Sequence, residues 1–365
     1  MAPARAGEET RKLLNWKRIV GYLISVLIVV AIFWWAIPKF ADYRDVWAAM
    51  KTLTPIEAWS LVAATIFNLV TYWWANQAAL PGLGIGKAAV LTQTTTSVAN
   101  TLPAGGAIAV GLTYSILDSW GFSGTSVALY VGVTGVWNIF TKLALPILAL
   151  VFVALSGHLT TTYIVASILG VIVLSVGIGL FALVFRSEEF AIKIGNWLGR
   201  VASWFLRLLR KPLVTTWGEG AARFRRDTIV LVEHRWLRLS LATVLSHVAL
   251  FLVLLLSLRH LGVSEQEVST AEAFAVFAFS RLLSVIQITP GGVGVIDLGY
   301  IGGLTAFGGQ EKAAIVAAVL LFRALTYAVQ IPIGGLTYII WRVKSDWRRP
   351  ADAAAQRERA SYFSI

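Results

Sequence analysis

The chain has 365 residues, 57% hydrophobic and 14% charged, with a net charge of +12 and a mean hydropathy of +0.73. A soluble domain carries about 25% charged residues, so this balance excludes an ordinary globular protein and indicates an all-α polytopic membrane protein. The absence of cysteine rules out disulfides and thiolate metal sites, and His158, His234, His247 and His260 offer no metal-ligand spacing, so neither metal nor cofactor is expected.

Residues 1–18 form a basic tail. The first apolar run, 19–37, has no small-residue cleavage site after it and reads as a retained helix rather than a leader. A second span covers 56–79. Residues 81–117 are apolar but broken by Pro103, Gly105 and Gly106. A long run over 123–155 contains Pro146, and another span covers 160–185. Residues 186–235 change character, with ten Lys/Arg and five acids interleaved with Trp, Phe and Leu. That mixture predicts one or two amphipathic helices lying on the membrane. A span at 236–259 follows, then a second broken region, 268–307, then a long run over 311–341 with Pro332 inside it. Residues 342–365 form a second basic tail.

The two halves repeat this order. Pro103 and Pro290 are 187 residues apart, Pro146 and Pro332 186 apart, and "LPAGGAIAVG" corresponds to "TPGGVGVIDLG". The first repeat occupies 56–155 within the membrane half 19–185; the second lies within 236–341. Positive charge places both tails and the 186–235 connector in the cytoplasm. All three land there if each broken region enters and leaves on one side. The expectation is six full spans plus two re-entrant or broken helical hairpins forming an inverted repeat, the architecture of many secondary transporters.

The stretch "SVIQITPGGVGVIDLGYIGGL" (284–304) carries one proline, six glycines and one aspartate. Backbone groups freed at such a break are tolerated in a membrane only inside protein or beside a wet cavity. Pro290, Gly291, Gly292 and Gly294 make the break, and the helix after Gly294 would aim its N–H groups at an anion. The plain alternative is glycine-mediated helix packing. Arg281 and Asp297 flank the break and Arg323 lies inside the next run. Each buried charge costs at least about 2.5–3.5 kcal/mol on insertion scales and usually faces a cavity or a partner. One carboxylate neutralises one arginine, which leaves a spare positive charge suited to phosphate. The first repeat is neutral at the equivalent places. "TQTTTSVAN" offers Thr96 and Asn100, and Asn138, beside Trp137, stands opposite Arg323. These groups line a pathway or simply back-bond to helix carbonyls. Lys142 is a further cation deep in a run; it faces a site or snorkels to an interface.

Other motifs carry less. "GLGIGKA" (82–88) resembles a phosphate loop, but its spacing is short and Ala88 replaces Ser/Thr. Asp42 and Asp45 could serve a membrane glycosyltransferase as base, against a plain reading as a solvated loop.

At "ITPGGVGVIDLGYIGGL" and "AAVLLFRALTYAVQIPIGG" the chain resembles the membrane region of the lysylphosphatidylglycerol synthases, the multiple peptide resistance factors. The pattern is Pro-Gly-Gly-x-Gly, an acid, then an arginine in the next run, here Pro290, Gly291, Gly292, Gly294, Asp297 and Arg323; Asp297 stands where the family more often has Glu. The resemblance covers about residues 15–345. It implies a flippase moving an aminoacylated phospholipid or a polyprenyl-phosphate glycolipid. No aminoacyl-transferase domain precedes Ile365, so lysyl transfer by this chain is not expected. The expected partners are a lipid substrate and anionic membrane lipids, with no nucleic acid. The rivals are the glycosyltransferase and a non-catalytic subunit that recruits a lipid synthase through 186–235; a homo-oligomer is a further possibility. The expected location is the cytoplasmic membrane.

Overall fold

The computed structural model describes residues 42–102, 105–155, 186–208, 217–284, 289–307 and 312–344, with isolated positions elsewhere. The spans expected at 19–37 and 160–185, and most of both tails, lie outside the described residues. Every long element within them is an α-helix: α1 (Tyr43–Met50), α2 (Pro55–Ala79), α3 (Ile85–Thr101), α4 (Gly105–Ser119), α5 (Gly124–Leu155), α6 (Glu188–Leu208), α7 (Trp217–His260), α8 (Thr270–Leu283), α9 (Val295–Phe307), α10 (Lys312–Arg323) and α11 (Gln330–Val343).

Three stretches among the described residues are long and apolar enough to cross a membrane: α5, the Glu233–His260 part of α7, and α10 with α11. A fourth forms if α1 and α2, bent by 95° from each other, make one span. The chain is therefore an all-α, multi-pass membrane protein.

Local sequence sets the helix ends. Thr54 and Glu57 close a reciprocal capping box at the start of α2, with Pro55 in the first turn. Ser269 and Glu272 do the same for α8. Such a cap is worth about 1 kcal/mol. Between α7 and α8 the Arg259 guanidinium donates to the carbonyls of Val263 (2.9 Å), Ser264 (3.1 Å) and Val268 (2.9 Å), and pairs with Glu265.

The connector departs from expectation. Residues 217–235 are not a separate surface helix. They are the first half of α7, which runs unbroken for 44 residues into the 236–259 span. No proline falls between Trp217 and His260, so nothing interrupts the ladder. The amphipathic α6 packs along α7, with Glu188 paired to Arg226 at 2.9 Å.

The 123–155 run is one helix, with Pro146 buried inside it. The 311–341 run is interrupted, but not at Pro332. The disturbance is a π-helical turn over Ala324–Ala328, directly after Arg323. There the Val329 N–H reaches back to Ala324 O at 2.9 Å, five residues earlier.

Helices of the two halves pack crosswise: α2 on α7, α3 on α11, and α5 on α8. In lipid such contacts rest on close packing and small residues rather than on a hydrophobic effect. The α3–α11 contact illustrates this. A Cβ on Gly334 would lie 2.2 Å from Ser97 Cβ, Ser97 Oγ donates to Ile331 O (3.1 Å), and Thr94 and Thr337 share a hydrogen bond of 2.9 Å.

Candidate functional site

The break after α8 is built from glycines in left-handed backbone conformations. Gly291, Gly292 and Gly294 have φ of +58°, +69° and +85°, a region that L side chains rarely adopt. A Cβ on Gly291 would fall 2.0 Å from the Tyr327 ring, and one on Gly292 2.2 Å from Ile296. Thr289 Oγ1 ties the loop by donating to Val293 O at 2.8 Å. Gly294 N–H then donates to Asp297 Oδ2 at 2.7 Å, which holds the carboxylate over the first turn of α9.

Asp297 is 2% exposed. Its Oδ1 lies 2.6 Å from Arg323 Nε. Neither atom completes a hydrogen bond, so the contact is an ion pair with the oxygen off the N–H direction. Arg323 also donates to Gly291 O (3.2 Å) and stacks on the Tyr327 ring, 4.5 Å from its centroid. The Tyr327 hydroxyl donates to Asn100 O at 2.7 Å and lies 3.4 Å from Pro290 O. One side chain thus joins the break between α3 and α4 to the break between α8 and α9.

These groups surround a cavity of about 230 Å³. Both halves of the chain supply its wall. Thr92, Thr96 and Asn100 come from one face of α3, and Lys142 from α5. Ser280, Arg281 and Ser284 come from the end of α8, and Gly291 from the break. Tyr300 comes from α9, and Arg323, Thr326, Tyr327 and Gln330 from the last run. The wall holds three cations and no acid; Asp297 sits behind Arg323. Ligand pockets are commonly about 300 Å³ or larger, so this cavity has room only for a small polar group.

Of the residues singled out from sequence, Arg281, Arg323, Gly291, Thr96 and Asn100 line the cavity. Asp297, Pro290, Gly292 and Gly294 shape it from outside the lining. Asn138 is not part of the lining. Its amide donates to Thr134 O of its own helix at 2.9 Å, and Trp137 Nε1 donates to Ser240 Oγ at 2.9 Å. Lys142, one helical turn further, faces the cavity instead. Sequence reasoning missed Ser280, Ser284, Tyr327 and Gln330, yet a helical stripe drawn through either arginine contains all but Ser280: 281 and 284 on one, 323, 326, 327 and 330 on the other. Tyr72 and Tyr300 carried no signal. Asp42 caps α1 by accepting from Arg44 N–H at 2.8 Å, a structural role. Among the described residues no three His, Cys, Asp or Glu side chains gather as metal ligands.

The lysylphosphatidylglycerol synthase transmembrane region, as a family, matches residues 22–334 of the chain. No curated protein matches it. The match spans most of the sequence, and the chain belongs to this family.

Proposed function

We propose that this family member is a lipid translocator rather than an enzyme, moving a phospholipid or polyprenyl-phosphate glycolipid headgroup, anionic or aminoacylated, across the cytoplasmic membrane. Family membership supports a role with membrane lipids. The observation that carries the finer reading is the cavity: cationic and hydroxyl-lined, inside an apolar helical body, at the meeting of both chain breaks. A headgroup phosphate there would meet Arg281 and Arg323, with Thr96 and Asn100 opposite. Asp297 would hold Arg323 in place, and the hydrocarbon would stay in the bilayer.

An inverted repeat underlies this reading. The crosswise packing supports it: α3 on α11 and α8 on α5 exchange equivalent partners between halves, and α2 on α7 pairs the equivalent spans. Such repeats place substrate at their interface and alternate its access. Both tails would lie in the cytoplasm. Lipid scrambling in proteoliposomes tests the function. Wild type should move labelled lipid, and Arg323→Ala and Asp297→Asn should both lose the movement. Folded wild-type protein that moves no lipid across a panel of anionic and aminoacylated species would overturn the reading.

A further inference from the structure

The charges around the cavity do not balance. Arg323 has Asp297 beside it. Lys142 and Arg281 have no counterpart: no Asp or Glu lines the cavity, and among the described residues neither cation makes an ion pair. Lys142 belongs to α5 and Arg281 to α8, so the two halves of the chain each bring one charge to the same wall. Both side chains face the same small cavity. Arg281 Nε is also buried without a hydrogen-bond partner. Two like charges held together away from bulk water are costly, and an anion between them relieves that cost through charge-assisted hydrogen bonds. Lys142 stands near the middle of the 32-residue α5, where snorkelling to either end is out of reach.

A second feature adjoins this wall. An apolar groove of about 360 Å³ runs between α8 and α9, lined by Val276, Phe279 and Leu283 on one side and Gly299, Gly303 and Ala306 on the other. Ser280 belongs to the walls of both groove and cavity. Its floor is a close helix contact that the small residues of α9 permit. A Cβ on Gly303 would lie 2.7 Å from Val276, and one on Gly299 3.2 Å from Leu283.

The geometry points to Lys142 and Arg281 as a phosphate subsite for a lipid of net negative headgroup charge, with one hydrocarbon chain of that lipid in the α8–α9 groove. With Asp297 matched to Arg323, Arg281 leaves a surplus positive charge in the wall, to which Lys142 adds when protonated. An uncompensated phosphate is attracted by that surplus. An aminoacylated headgroup brings its own ammonium group and is repelled. The inference rests on the lipid reading above for its ligand class, and selects within that class against the lysylated lipid in the family's name. The apolar groove beside the cavity, with Ser280 in the walls of both, selects a lipid over free phosphate.

Equilibrium binding to the purified full chain in detergent tests it, with phosphatidylglycerol, lysylphosphatidylglycerol and inorganic phosphate as probes. Phosphatidylglycerol should bind at least about tenfold more tightly than its lysylated form, and Lys142→Gln and Arg281→Gln should each weaken it about tenfold. Ala306→Phe, which fills the groove from an exposed position, should weaken lipid binding, and Lys51→Gln, exposed beyond α1, should not. Equal affinity for the lysylated lipid overturns the inference, as do wild-type affinities in both Gln variants. Inorganic phosphate binding as tightly as lipid overturns the lipid assignment. Anionic lipid bound through Lys142 and Arg281 without movement in liposomes would sink the translocation reading and leave this one standing. Preferential transport of the lysylated lipid would do the reverse.

Discussion

The Tyr327 hydroxyl donates to the backbone carbonyl of Asn100 across 227 residues of sequence, at 2.7 Å. The carbonyl is in the last turn of α3, where the chain is about to break at Leu102, so a side chain satisfies an acceptor that the helix leaves orphaned. Tyr327→Phe keeps the ring against Gly291 and removes the donor. It should lower thermal stability by the equivalent of about 1 kcal/mol and slow lipid movement while preserving the helical spectrum. Unchanged transport would mean that the two breaks need not be tied.

The Asp297–Arg323 pair is nearly sealed from solvent, at 2% and 15% side-chain exposure. Removing one member of a buried pair leaves an uncompensated charge and costs about 3–5 kcal/mol. Asp297→Ala should therefore melt well below wild type in detergent. Asp297→Asn with Arg323→Gln should recover a large part of the loss, because no bare charge remains. A double variant as unstable as Asp297→Ala would show that the pair does more than cancel charge.

Glycine substitutions separate two kinds of glycine in one motif. Gly291→Ala places a methyl group 2.0 Å from the Tyr327 ring at a φ of +58°, and backbone strain of this sort costs about 1–3 kcal/mol. Gly302, inside α9, has nothing within 4 Å of its Cβ position. Gly302→Ala should gain up to about 1 kcal/mol through helix propensity. Thermal unfolding of the two variants should move in opposite directions.

Asn138→Ala should leave lipid movement unchanged in the proteoliposome assay, since its amide bonds only within α5. A loss comparable to that of Arg323→Ala would place Asn138 on the path after all.

The breaks and the charges were legible in the sequence because a membrane makes proline, glycine and arginine conspicuous. Pro290, Arg281, Asp297 and Arg323 stand out in apolar surroundings by cost alone. Direction was harder. Asn138 was set opposite Arg323 by counting back from Pro146 and Pro332. Such a count fixes depth along α5 but not the side a residue points to, and it is Lys142, one turn on, that reaches the cavity. Tyr327 was invisible for a different reason: an aromatic residue in an apolar run looks like packing until the carbonyl it reaches is known. The fusion of 217–235 with the following span escaped notice because a charged, amphipathic composition says where a helix prefers to lie, not where its hydrogen-bond ladder stops.

Outside the bilayer, Glu265 gives a pH signature. Partial burial raises its pKa, but the Thr270 backbone and hydroxyl hydrogen bonds and Arg259 outweigh this and hold it below the usual 4.5. A carboxylate depressed in the folded state stabilises above its unfolded pKa, and the benefit is lost as pH falls. Wild type should be more stable than Glu265→Gln at pH 7, and the gap should close as pH drops below about 4. A gap that persists in acid would assign the effect to shape rather than charge.

The wide turn at Ala324–Ala328 sets the angular phase between α10 and α11. Each residue of an α-helix advances about 100°. One residue more or fewer there turns the Gly334 and Thr337 face away from Ser97 and Thr94, or turns Arg323 away from Asp297. A regular helix through 312–343 could satisfy one of these contacts but not both. The irregularity lets a single transmembrane stretch present two unrelated faces, one aimed at charge and one at close backbone approach. Side chains on either side of it are therefore free to diverge in sequence without disturbing the other face.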